Sequence, residues 1–126
     1  MARFAFSGPR DVGTPYDDWG TLMDETFTIS DPGATEMDIM FTAMLVPSDG
    51  DKIAWESHFY INNEERPNVR IQEIARTTDN WGSHTMQQTY YMTIPYTSSI
   101  NVFLNVRRFV SGGLWLKYFY LFIETR

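Results

Sequence analysis

The apolar positions of this chain recur every second residue. Met37, Ile39, Phe41, Ala43 and Leu45 alternate with Asp38, Met40, Thr42 and Met44, the pattern of a strand with one buried face. Pro47-Ser48-Asp49-Gly50-Asp51 then ends the run with turn chemistry. Ile53, Trp55, Ser57, Phe59 and Ile61 form a second inward set, opposite Lys52, Glu56, His58 and Tyr60. Asn62 to Pro67 reads as a polar loop, and Val69 to Thr77 as a less regular strand closed by Asp79-Asn80-Trp81-Gly82-Ser83. Met86, Gln88, Tyr90, Met92 and Ile94 alternate with Gln87, Thr89, Tyr91 and Thr93 as far as Pro95, which has no N–H to give a ladder. Ile100, Val102, Leu104 and Val106 alternate with Asn101, Phe103, Asn105 and Arg107. Ser111-Gly112-Gly113 predicts a hairpin returning through Leu114 to Ile123. With Phe4 to Phe6 and Glu25 to Ser30 added, about eight strands result, and no stretch keeps helical apolar spacing for three turns. The expectation is an all-β chain, an antiparallel sandwich or barrel.

Two segments depart from that pattern. Residues 8–24 hold Gly8-Pro9, Gly13, Thr14-Pro15 and Gly20 between two strands, which predicts a long irregular arm, a feature that tends to be functional. The last strand is apolar on both faces: Leu114, Leu116, Tyr118, Tyr120 and Phe122 on one, Trp115, Phe119, Leu121 and Ile123 on the other. A strand in a two-layer sandwich has one core face, so its second face needs a cover.

Length and charge narrow the classes. At 126 residues the chain fits one domain, residues 1–126, able to bury a core without disulfide or metal staples. Absent cysteines remove disulfide frameworks, thiolate zinc sites and cysteine nucleophiles. The net charge of −6 disfavours nucleic acid, whose phosphates need clustered Lys and Arg. Residues 1–65 hold thirteen acids against Arg3, Arg10 and Lys52, and residues 66–126 hold seven bases against Glu73, Asp79 and Glu124. In an interleaved sandwich, such a polarity stabilises the fold or an interface. No run approaches a membrane span, and the apolar part of Met1 to Ser7 is too short for a signal peptide.

No phosphate loop, dinucleotide fingerprint or nucleophile elbow occurs. His58 and His84 lack metal-ligand spacing, and Glu56 beside His58 reads as an exposed, solvated pair, because acid–base work also needs a cleft and an orienting group. Asp11, Asp17, Asp18 and Asp24 lack the regular spacing of a calcium loop. Trp19 and Trp81 stand beside glycines in predicted loops, with Tyr16 near the first. Such rings stack on sugars, anchor interfaces, or fold back to cap the core, the last being the preferred reading. No enzyme and no cofactor is expected.

The stretch Ile94-Pro95-Tyr96-Thr97-Ser98-Ser99-Ile100-Asn101-Val102-Phe103-Leu104-Asn105-Val106, then Ser111-Gly112-Gly113, then Tyr120-Leu121-Phe122-Ile123-Glu124, is similar to the closing strands of the jelly-roll domains shared by tumour necrosis factor and complement-type globular heads. Many bacteriophage virion proteins carry a variant of that domain. The resemblance covers about the last third of the chain. It implies a jelly roll of about eight to ten strands, trimers about a three-fold axis, and a structural or binding role. The doubly apolar last strand agrees, which makes Trp115, Tyr118, Tyr120 and Phe122 the candidate trimer interface. Fibre heads of this type sit on a stalk, whereas this chain starts almost at once with a strand. That favours a capsid decoration (cement) protein, made in the host cytoplasm and clamping the major capsid protein or another virion protein through the arm residues Tyr16, Asp17, Asp18 and Trp19. The rival expectation is a lectin-like or receptor-binding module that takes a glycan on Trp19, Tyr16 or Trp81.

Overall fold

The computed structural model describes residues 1–13, 19–48, 52–65, 71–76, 86–108 and 113–126. Alternation becomes burial as the two-residue period requires. In β3 (Glu36–Ser48), Met37, Ile39, Phe41, Ala43 and Leu45 are all fully buried. In β8 (Ser99–Arg108), so are Ile100, Val102, Leu104 and Val106. In β4 (Lys52–Ile61) the inward residues include Ser57, Phe59 and Ile61, and in β7 (Met86–Pro95) they include Gln88, Tyr90 and Ile94.

The strands make two antiparallel sheets. One has the order β1-β9-β3-β7, where β1 is Ala2–Gly13 and β9 is Gly113–Thr125. The other places β2 (Trp19–Thr28) beside β8 and β8 beside β4. The far side of β4 takes the two-residue β5 (Glu64–Glu65) and β6 (Ile71–Arg76). Apart from the step from β4 to β6, successive long strands lie in opposite sheets. That winding is a jelly roll.

Two expectations are corrected here. Ser111-Gly112-Gly113 does not join paired strands: β8 pairs with β2 and β4, while β9 pairs with β1 and β3. A turn signal reports a reversal of the chain, and in a jelly roll that reversal crosses between sheets. Nor do residues 8–13 and 19–24 form an irregular arm. Gly8 to Gly13 continue β1 and Trp19 to Asp24 begin β2, with residues 14–18 outside the described part. β1 is an edge strand, where proline removes no ladder bond on its open side. A register shift between Pro9 and Val12 absorbs the irregularity. Gly13 is required by contact, since a Cβ there would lie 3.0 Å from the Trp115 ring.

Aromatic rings fill the space between the sheets. Phe59 stacks on Tyr90 at 4.5 Å and on Phe41 at 5.2 Å, and Phe41 continues to Phe119 at 6.2 Å. Phe119 meets Phe27, and Phe27 meets Phe6 at 4.7 Å. Beside this stack lies a buried polar trio. The Tyr90 hydroxyl donates to Gln88 Oε1 at 2.8 Å, and the Ser57 hydroxyl lies 2.9 Å from that of Tyr90 and 3.1 Å from Gln88 Oε1. The trio links β4 to β7 across the two sheets.

The charge polarity of the sequence folds onto itself. Lys117 pairs with Asp11 at 2.6 Å, Arg3 with Glu124 at 3.0 Å, and Arg126 with Glu36 and Asp38. Most of these pairs are well exposed, so each adds little to stability; the Lys117 and Arg126 pairs join bases of the second half to acids of the first, while Arg3–Glu124 runs the other way.

Candidate interaction face

The outward surface of the β1-β9-β3-β7 sheet can be read row by row from its register. At one end stand Arg3, Glu124, Asp38 and Thr93, side by side across the four strands. The next outward row is Ala5, Phe122, Met40 and Tyr91, followed by Ser7, Tyr120, Thr42 and Thr89. Then come Pro9, Tyr118, Met44 and Gln87, and beyond a bulge Trp115 stands between Gly13 and Val46. A charged rim therefore gives way to rows centred on aromatic side chains of β9.

The bulge is what brings those aromatics together. Strict alternation would set Trp115 opposite to Tyr118, Tyr120 and Phe122. Against β3, Met44 pairs with Tyr118 and Leu45 with Leu116, so Lys117 is an extra residue on β9. Its insertion reverses the parity of the strand. Leu116 and Phe119 are consequently both buried, a departure from the two faces expected of this strand. Lys117 Nζ lies over the Trp115 ring at 5.3 Å while it pairs with Asp11. Farther along, Tyr118 and Tyr120 have ring centroids 5.0 Å apart, and Tyr120 and Phe122 lie parallel at 6.5 Å.

These rings are open to solvent where a closed core face would not be. Tyr91 is 64% exposed, Phe122 44% and Tyr120 38%. Between Tyr91 and Phe122, with Met40 at its base, a groove of about 510 Å³ runs up to Arg3, Asp38 and Glu124. Its formal charges are tied in pairs. Arg126 and the Thr93 hydroxyl hold the Asp38 carboxyl below its ordinary range, and Arg3 Nε donates to Glu124 Oε2 at 3.0 Å. Tyr91 and Met40 escaped the sequence reading because alternation put them on the solvent side of their strands. The available signal was their apolar character at positions where the period calls for polar residues.

The other candidates disperse. Tyr16, Asp17, Asp18, Trp81 and His84 lie outside the described residues. Trp19 lies at the start of β2, half-buried, with its ring edge-on to His58 at 4.8 Å. Glu56 and His58 approach to 2.9 Å, and their side chains are 14% and 15% exposed. They are therefore not the solvated pair expected, because the indole lies against the imidazole. Of the four acids weighed as a calcium loop, Asp11 pairs with Lys117 and Asp24 accepts from Asn101. Among the described residues, no group of three or more acids and histidines is arranged for a metal ion.

No protein-family model and no curated protein matches this chain. Solved structures do. The VP2 subviral particle of infectious bursal disease virus has a TM-score of 0.57 at 10% identity, over 98% of this chain and 32% of that one. The Gx strain of the same virus gives 0.55 at 11% identity, over 98% of this chain and 33% of that one. The insecticidal delta-endotoxin Cry8Ea1 of Bacillus thuringiensis gives 0.52 at 9% identity, over 92% of this chain and 19% of that one. This chain thus spans about a third of the viral chains it matches. At such identities the likeness is one of fold, the two-sheet jelly roll.

Proposed function

We propose that this chain is a non-enzymatic structural virion protein that assembles as a homotrimer and decorates a bacteriophage capsid, clamping neighbouring subunits of the major capsid protein. The observation that carries the reading is the outward aromatic column of β9, Trp115, Tyr118, Tyr120 and Phe122. It stands on the face of the sheet turned away from the core. Tyr120 and Phe122, open to water on this face, with Trp115 and Tyr118 along the same strand and Met44 beside Tyr118, make a larger apolar surface than scattered exposed residues would. A subunit interface is the ordinary reason for such a patch. Capsid proteins among the fold neighbours support a virion setting, and the terminal resemblance to trimeric heads supports three-fold assembly. Segment 14–18, with Tyr16, Asp17 and Asp18, supplies the contact to the capsid in this proposal.

Light scattering at micromolar concentration tests it, with an expected mass about three times the 14.7 kDa chain. Cosedimentation with capsid particles tests the decoration step. A monomer of native fold at that concentration overturns the trimer. A trimer that ignores particles overturns the decoration role while leaving the interface in place.

A further inference from the structure

The groove between Tyr91 and Phe122 has a composition that the subunit interface does not use. Tyr91 is on β7, the edge of the sheet remote from β1, and is the most exposed ring among the described residues. It faces Phe122 across Met40 on the intervening β3. Two strand spacings separate the backbones that carry these rings, about 9.5 Å. Two van der Waals contacts at ~4 Å each take up most of that distance, which leaves space for one ring-sized group lying over Met40.

The rim decides what kind of group. One row along the strands, about 6.7 Å away, stand Arg3, Glu124, Asp38 and Thr93. Arg3 is bound to Glu124, and Asp38 to Arg126 and Thr93. Each charge is already paired, with Arg126 shared between Asp38 and Glu36, so the rim draws in neither an anion nor a cation strongly. It does offer fixed carboxylate lone pairs next to guanidinium N–H groups. A neutral ligand whose hydroxyls both donate and accept, and whose C–H face lies flat on an aromatic ring, matches the apolar base and the polar rim together.

We infer that the Tyr91–Met40–Phe122 groove is a binding site for a neutral glycan, one pyranose ring packing on Tyr91 with its hydroxyls directed at Asp38, Glu124 and Arg3. The site differs from the loop tryptophans considered from the sequence. It also stands apart from the assembly reading, for Tyr91 is two strands away from the aromatic column. Phe122 serves both, since its ring lies parallel to Tyr120 in the column and also lines the groove.

The test is a titration of the full chain with cellopentaose, maltopentaose, mannopentaose and N-acetylchitopentaose, each followed by calorimetry and by mass. At least one should bind with a dissociation constant at or below the millimolar range. Tyr91→Ala should weaken that binding about tenfold or more, and Asp38→Asn should weaken it without loss of fold. The mass should stay the same in both variants. Absence of binding for all four sugars at millimolar concentration overturns the inference, as does binding indifferent to Tyr91→Ala. A fall in mass or in particle attachment on Tyr91→Ala, without sugar binding, assigns the groove to a protein partner and also overturns it. Loss of sugar binding alone leaves the interface untouched, and Tyr120→Asp probes that interface separately.

Discussion

Single side chains in this sandwich carry consequences that their residue types alone do not announce. Trp19 is the clearest. Set in a glycine-flanked, acidic stretch, it resembles a free anchor, yet its ring lies edge-on against His58 and is half-buried. Trp19→Ala should therefore lower the melting temperature by several degrees, corresponding to ~1–2 kcal/mol. Thermal unfolding followed by circular dichroism checks this, and an unchanged midpoint would restore Trp19 to a partner-binding role. Tyr90 gives a second expectation, one that depends on pH. Burial pushes its phenol up to about 12, against a weaker opposing effect of the Ser57 hydrogen bond, whereas an unfolded tyrosine ionises near ~10. The native state keeps the proton where the unfolded chain gives it up. The resulting stability is intact below pH ~10 and falls as the pH rises toward 12, on the order of 3 kcal/mol in total. Tyr90→Phe should cost about 1 kcal/mol at neutral pH through the lost hydrogen bond, but its stability should fall less steeply across that alkaline window. Denaturant titrations at intervals from pH 9 to 12 compare the two slopes, and equal slopes would contradict the buried-phenol account.

At the scale of elements, the strands were legible because a half-buried sheet forces a period of two and little else competes with it. The inward sets of β3 and β8 follow from their residues without exception among the described side chains. What alternation does not encode is a bulge or a partner. The extra residue at Lys117 turns Leu116 and Phe119 to one side and Trp115 to the other, and no local composition marks it. Likewise, glycine and proline in residues 8–13 suggested irregular chain because they weaken a central strand. β1 is an edge strand, which tolerates both. Pairing across β8 and β9 was misread because turn chemistry is local and sheet membership is not. The outward face was half visible: the doubly apolar last strand pointed to the interface column, while the groove residues Met40 and Tyr91 on neighbouring strands needed the register. One pair of substitutions separates the two faces of β9. Tyr120→Asp, on the outer face, should leave a folded chain of monomeric mass. Leu121→Asp, buried beside it, places a carboxylate in the core and should prevent folding. A Tyr120→Asp chain that stays trimeric would remove that ring from the interface.

For the whole molecule, assembly and stability should be inseparable, and the size of the outward face shows why. With β7 left to the groove, three strands at about 4.8 Å spacing and some ten residues at about 3.3 Å each span on the order of 500 Å², well under the ~800 Å² per partner of a standard stable interface. In a closed three-fold ring, each subunit divides its contact surface between two neighbours, so the aromatic column must be supplemented from the β1 edge or from segment 14–18. An interface this modest will not survive unlimited dilution. The unfolding midpoint should then depend on protein concentration, because a trimer that separates on unfolding gains entropy as it is diluted. For three chains of this length, the expected fall is about 4 °C for each tenfold dilution. Scanning calorimetry from about 1 to 100 μM measures it directly. Tyr120→Asp should unfold at one temperature across that range, since its folded form is already a single chain. A wild-type midpoint equally flat, together with a mass of 14.7 kDa, would mean that the aromatic face meets water in the isolated protein and is covered only on the particle.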